Sequence, residues 1–211
     1  MTAAELNVPD CREALASMRI AASTQTRGAP MRIACLLSQG FEDSELRVPY
    51  DAFVRAGHQV TVIGAKEGET LKGKAERESI VTDASIDDVH AEAFDALFIP
   101  GGHSPDKLRA DDRFVVFAQA FAKKPIFAVC HGPQLLITAG MVKGRTMTAW
   151  KTVQVDLRNA GAHVVDKEVC VDKNLVTSRK PTDLDAFVRE SLRLLTNGKR
   201  VGVESKGGAP R

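Results

Sequence analysis

The sequence predicts an α/β domain: a mostly parallel, doubly wound sheet with helices on both faces. Two observations carry this reading. Short apolar runs such as "MRIACLLS", "HQVTVIGA", "FDALFI" and "PIFAV" have the length and β-branched content of buried strands. Amphipathic segments of helical length separate them, and that alternation builds a parallel sheet covered on both sides. Size agrees, since 211 residues with 44% hydrophobic and 27% charged content suffice for one sizeable core.

Taken in order, "MRIACLLS" at 31–38 reads as the first strand. "DSELRVPYDAFVRAG" reads as a helix, with Asp43 as its cap, Gly57 as its stop and Pro49 as a kink or the mark of irregular first turns. "HQVTVIGA" is the second strand. "KGKAERESIVTDASIDDV" reads as an excursion holding one short strand. "FDALFIPGG" is a strand ending in glycines, and "SPDKLRADDRFVVFAQAFAKK" is helical. "KPIFAV" is a strand, "GPQLLITAG" a helix, "GRTMTA" a strand and "KTVQVDLRNAG" a helix. "HVVDKEVCVDKNLVTS" is a strand or hairpin, and "PTDLDAFVRESLRLLTNG" closes the domain as an amphipathic helix. The domain therefore spans 31–196. Residues 1–30 form an extension with a short helix near 10–22, and 197–211, rich in Gly and charge, read as a flexible tail.

The formal net charge of +2 and the lack of a basic stripe argue against nucleic-acid binding. No apolar stretch approaches the roughly 18 residues of a membrane span. The first 30 residues show no continuous apolar core of a secretory signal. Four cysteines without a Cys-x-x-Cys pair point to free thiols and a reducing cytoplasm. His58, His90, His103 and His163 show no i, i+4 pairing, and Cys130-His131 adjacency is not ligand spacing. No metal site is expected.

In parallel sheets, ligands bind beyond the carboxyl ends of the strands. Three segments meet there: "SQGFED", "PGGHSPD" and "CHGP". Cys130 stands where an apolar run stops and a Gly-Pro helix start begins. Free amides and the helix dipole at such an elbow favour a thiolate and lower the thiol pKa. The plainer reading of any cysteine is a small buried hydrophobe. It suits Cys35 and Cys170, which lie within strands, whereas Cys11 carries no signal. His131 is a candidate base, or its amide an oxyanion donor; otherwise it merely serves the helix start. Asp106 is a candidate orienter of His131, although "SPD" also reads as cap, Pro at the first turn and first-turn acid. Glu42 is the candidate acid beside the sulfur, its carboxyl kept protonated by a neighbouring thiolate; the alternative is a solvated helix-start acid. Gly101 and Gly102 permit a turn that aims amides at a reacting oxygen.

The blocks "GFEDSEL", "FDALFIPGGHSPD", "AVCHGPQLLITAG" and "LVTSRKPTDLDAF" together resemble the ThiJ/PfpI family over residues 31–196. The resemblance is strongest to its YhbO-type bacterial general stress proteins and to archaeal PfpI endopeptidases. It implies a flavodoxin-like, class I glutamine amidotransferase-like fold. It also implies a nucleophile elbow at Cys130, an acidic partner at Glu42 and His131 as the site histidine. In the archaeal peptidases a neighbouring subunit's glutamate meets that histidine; here Asp106 matches it, one methylene shorter. A homodimer or higher homo-oligomer is implied as well.

The implied activity is a cofactor-independent, stress-response cysteine enzyme acting on small dicarbonyls or glycated protein or nucleotide adducts, as a glutathione-independent glyoxalase or deglycase. Two other readings stay open. One is an intracellular cysteine peptidase. The other is a redox sensor or chaperone in which Cys130 oxidises to a sulfinic acid.

Overall fold

The computed structural model describes residues 29–197. The expectations for a helix near 10–22, for Cys11 and for the tail beyond 197 lie outside the described residues. The chain first forms β1 (Arg32–Leu36), α1 (Asp43–Arg55) and β2 (Gln59–Gly64). The excursion then holds three short strands rather than one: β3 (Thr70–Lys72), β4 (Ser79–Val81) and β5 (Ala84–Ser85). β3 and β4 pair as an antiparallel hairpin apart from the main sheet, while β5 pairs with β2 at the sheet edge.

β6 (Ala96–Ile99) leads to two helices rather than one, α2 (Ser104–Leu108) and α3 (Asp112–Gln119). They separate because Asp111 starts a new helix, its carboxylate accepting the Arg113 N–H at 3.0 Å. β7 (Ile126–Val129) and α4 (Pro133–Thr138) follow. The "GRTMTA" strand shrinks to β8 (Thr146–Met147), which pairs with β9 (His163–Val164) outside the main sheet. Between them lies α5 (Val153–Asn159). The hairpin β10 (Val169–Asp172) and β11 (Leu175–Ser178) precedes the closing helix α6 (Leu184–Asn197).

The main sheet has seven strands in the order β10-β11-β7-β6-β1-β2-β5. All neighbours run parallel except β10, which is antiparallel to β11. The chain leaves β1 towards β2 on one side and returns to β6 and β7 on the other. The crevice beyond β1 and β6 is thus a topological switch point.

Side chains alternate faces along each strand. Ile33, Cys35, Phe98 and Phe127 face α1 and α6, where Phe53 lies 5.6 Å from Phe98 and 5.5 Å from Phe127, ring centre to ring centre. Leu36, Leu97 and Ile99 face the other way and pack with Phe117, Leu135 and Leu157 of α3, α4 and α5. Helix α1 runs continuously through Pro49, which is buried. Its missing N–H only leaves the Glu45 carbonyl without a helical donor.

Candidate active site

Cys130 is the first residue after β7. Its N–H still donates to Ser178 of β11 at 2.9 Å, and its carbonyl accepts from the Trp150 N–H at 3.0 Å. Between these two anchors its backbone takes φ 59°, a left-handed angle costing a non-glycine residue about 1–3 kcal/mol. The turn throws the side chain off the strand and towards the crevice. There it is only 5% exposed.

The carboxylate beside the sulfur belongs to Glu45, not to Glu42. Glu42 is the N-cap of α1: its Oε2 accepts the Glu45 N–H at 2.9 Å and the Ser44 hydroxyl at 2.6 Å. The expected cap, Asp43, is instead the first helical residue. Its carboxylate accepts the N–H groups of Ala75, Arg77 and Glu78, binding the β3–β4 turn to the helix. The physical reason is helical phase. The last extended residue before a helix turns its side chain back onto the free amides. The residue three positions on lies one turn further, on the face this helix buries. Glu45 is fully buried, and neither carboxylate oxygen has a hydrogen-bond partner in good geometry. The Cys130 sulfur and the Gly101 N–H face it and act on it electrostatically.

Gly101 and Gly102 hold this approach open. A Cβ on Gly101 would collide with Oε2 of Glu45 and with Cβ of Cys130. Gly102 has φ 79° and packs on the backbone of residues 40–42. Its amide and that of His131 act on the Cys130 thiol in the direction that favours its anion.

The Nδ1 of His131 lies 3.3 Å from the sulfur, so the neighbouring histidine does reach the thiol. Burial first, then the charges of Lys74 and His103, push the imidazole below its ordinary pKa; Asp106 opposes them more weakly. Asp106 is exposed on α2 and makes no hydrogen bond to His131 among the described residues. Lys74 was not anticipated. It sits on the turn that Asp43 clamps, and its own N–H donates to Phe41 at 2.7 Å. Nothing local in "LKGKAE" signals a site, because contacts distant in sequence, the Asp43 carboxylate and the Phe41 backbone, bring this turn to the crevice.

The chain matches the DJ-1/PfpI family over residues 31–194. It belongs to that family. It is 58% identical over 167 residues to General stress protein 18 of Bacillus subtilis, covering 78% of this chain and 97% of the relative. It is 54% identical over 167 residues to Protein/nucleic acid deglycase 2 of Escherichia coli, with the same coverage. Among solved structures, a two-domain protein of Anabaena variabilis with DJ-1/ThiJ/PfpI-like and ferritin-like domains superposes with a TM-score of 0.77 at 38% identity. That match covers 85% of this chain and 52% of the two-domain protein.

In this DJ-1/PfpI protein, burial raises the Glu45 pKa to about 8, and the nearby Glu42 charge adds to the push. The Cys130 thiol is also pushed up, first by burial and then by Glu45, against the pull of the Gly102 and His131 amides. A freely lowered thiol pKa, expected from the helix start alone, is therefore not what the geometry gives. α4 is short, and Cys130 is largely buried. Two anions are unfavourable in this space, so thiol and carboxyl titrate as a coupled pair. When Glu45 holds the proton its repulsion disappears, and its O–H becomes a donor to the sulfur.

Cys35 lies mid-strand, fully buried, with its pKa pushed up by burial. Cys170 is half-buried, its sulfur 3.4 Å from the Thr146 carbonyl. Among the described residues, no cluster of His, Cys, Asp or Glu has a metal-holding arrangement, and no helix is long and apolar enough to cross a membrane.

Proposed function

We propose that this protein is a cofactor-independent cysteine enzyme of the stress response, acting in the cytoplasm on reactive dicarbonyls or their adducts. The observation that carries this reading is the buried, unpaired carboxyl of Glu45 against the strained Cys130. A carboxyl so placed trades a proton with the sulfur and with any carbon attached to it. The names of the two relatives, a stress protein and a deglycase, support the same reading.

The steps balance without an oxidant. The Cys130 thiolate adds to the aldehyde of methylglyoxal, and Glu45 gives the oxygen a proton, forming a hemithioacetal. The Glu45 carboxylate then removes the proton from that carbon, and a proton is returned to the adjacent carbon through an enediol, leaving a thioester. Water cleaves the thioester, releasing lactate and the thiol. The Gly102 and His131 amides face the developing charge. Amine adducts of dicarbonyls form reversibly, so consuming free methylglyoxal drains them as well. Asp106, exposed on α2, would meet His131 across a subunit boundary of a homo-oligomer.

The test is lactate formation from methylglyoxal without glutathione, with Cys130→Ala as control. Turnover equal to that control overturns the enzyme. Selective oxidation of Cys130 without turnover would leave a redox sensor, for which the same amides and the Glu45 hydroxyl would hold a sulfinate.

A further inference from the structure

Residues 40–42 form a short ladder of their own outside the main sheet. Phe41 bridges Gly73 on one side and Gly102 on the other. The Gly40 N–H donates to the Lys72 carbonyl at 2.8 Å, and the Lys74 N–H to that of Phe41 at 2.7 Å. Opposite, the His103 N–H donates to Gly40 at 2.7 Å and the Glu42 N–H to Gly101 at 3.1 Å. Bridge partners share a face, and the residues next to them turn to the other. Phe41 is fully buried, so Lys74, His103 and Gly101 lie on the opposite side. That side is the crevice, since a Cβ on Gly101 would meet Glu45 and Cys130 there. The ladder thus sets Lys74 and His103, both exposed, on either side of the 40–42 segment at the crevice mouth. The His103 ring rests on Gly40, where a Cβ would come within 3.5 Å of its Nδ1.

We propose that Lys74 makes this crevice select dicarbonyls whose non-reacting end is an anion: 2-oxoaldehydes with a short carboxylate tail, such as 4,5-dioxopentanoate. The inference rests on the dicarbonyl reading above. Other charges of the β3–β4 turn are paired, Lys72 with Glu76 at 3.9 Å and Glu78 with Arg47 at 2.9 Å. Lys74 forms no ion pair among the described residues; its charge acts on Glu45 and His131, which flank the sulfur. Two carboxylates oppose an anion here. Glu42 is occupied by the amide and hydroxyl of its cap. Asp106 acts on His131 more weakly than Lys74 and His103 do. The balance at the mouth is therefore cationic. Methylglyoxal, ending in a methyl group, makes no use of it. A tail of two methylenes lets a carboxylate meet the ammonium, a point charge on a flexible stem. The chemistry is unchanged. Cys130 adds to the aldehyde, a proton leaves that carbon and one is returned to the ketone carbon, and water cleaves the thioester to 2-hydroxyglutarate. No oxidant is needed.

Two measurements on the full chain test this, one of them independent of turnover. The first compares kcat/KM for 4,5-dioxopentanoate with that for its methyl ester, a neutral control of the same length, reading the hydroxy acid formed. The acid should lead by about three- to tenfold, the size of a half-buried ion pair. The second compares alkylation of Cys130 by iodoacetate and iodoacetamide, mapped by mass. The ratio should favour iodoacetate by a similar factor over the same ratio in the unfolded chain. Lys74→Met should abolish both advantages, Lys74→Arg should keep them, and added salt should shrink them. Each ratio cancels any change that Lys74 makes to Glu45 or His131, and an exposed side chain can be replaced without unfolding the domain. Turnover of both compounds with no lead for the acid overturns the proposal, as does a lead that survives Lys74→Met. If no dicarbonyl is turned over, the alkylation ratio decides. An iodoacetate advantage lost in Lys74→Met keeps the anion site and sinks the enzyme reading alone; no advantage overturns both.

Discussion

Cys35 and Cys130 are the same side chain in the same hydrophobic cluster on the same face of the sheet. Both thiols are pushed up by burial. What differs is everything polar around them. Cys35 sits within β1 with regular parallel neighbours on both sides, its alternation with Ala34 and Leu36 dictated by the strand. Cys130 sits one residue beyond a strand end, with two amides, an imidazole nitrogen and a carboxyl gathered on its sulfur. Burial makes a thiol inert unless something is arranged to hold its anion, and in this fold only a strand end is free to make that arrangement.

The strongest way to break this contrast is to remove or label the sulfurs. Cys130→Ala should reduce methylglyoxal turnover to background, whereas Cys35→Ala should leave it measurable. Under native conditions a small alkylating agent, followed by mass mapping, should modify Cys130 at least about a hundredfold faster than Cys35, since Cys35 reacts only on unfolding. Equal labelling would mean the elbow confers nothing.

The next effect separates the two acids. Glu45→Gln should lower turnover by roughly 10²–10⁴-fold, the range for a lost general acid–base group, while Cys130 remains open to alkylation. Glu42→Gln, on the cap, should cost far less. Reversed magnitudes would return the catalytic role to Glu42.

Third is pH. Burial pushes the folded pKa of Glu45 up to about 8, from about 4.5 for an ordinary glutamate, so the folded state holds an extra proton between those values. Stability from this group is present below about pH 4.5 and is lost as pH rises towards 8. Denaturant midpoints measured across that window should fall with pH, and Glu45→Gln should flatten the slope. A wild-type midpoint that does not fall would show that Glu45 titrates normally.

The smallest effect is structural. Glu42→Ala removes the α1 cap and should cost about 1 kcal/mol in urea unfolding. A negligible cost would mean that Asp43, through its clamp on the β3–β4 turn, already secures that helix start.

Strand periodicity and glycine punctuation are local, and they were enough to read the sheet, its parallel direction and the elbow at Cys130 from the sequence. The turns "CHGP" and "PGGHSPD" gave away their meeting point because parallel strands bring like ends together. Helix phase was less legible. Glu42, Asp43 and Glu45 are all acids at one helix start, and a shift of a single residue in the cap decides which one turns inward. Lys74 and Trp150 reach the crevice only through long-range contacts: Asp43 to the turn at 75–78 and the Trp150 N–H to Cys130. The sequence by itself determined the main strands, most of the helices and the place of Cys130 at a strand end, because backbone periodicity and turn chemistry are written in neighbouring residues. Only the tertiary structure decided which carboxyl faces the sulfur and which cations surround it, because those depend on rotations and packing between segments some 30 to 85 residues apart.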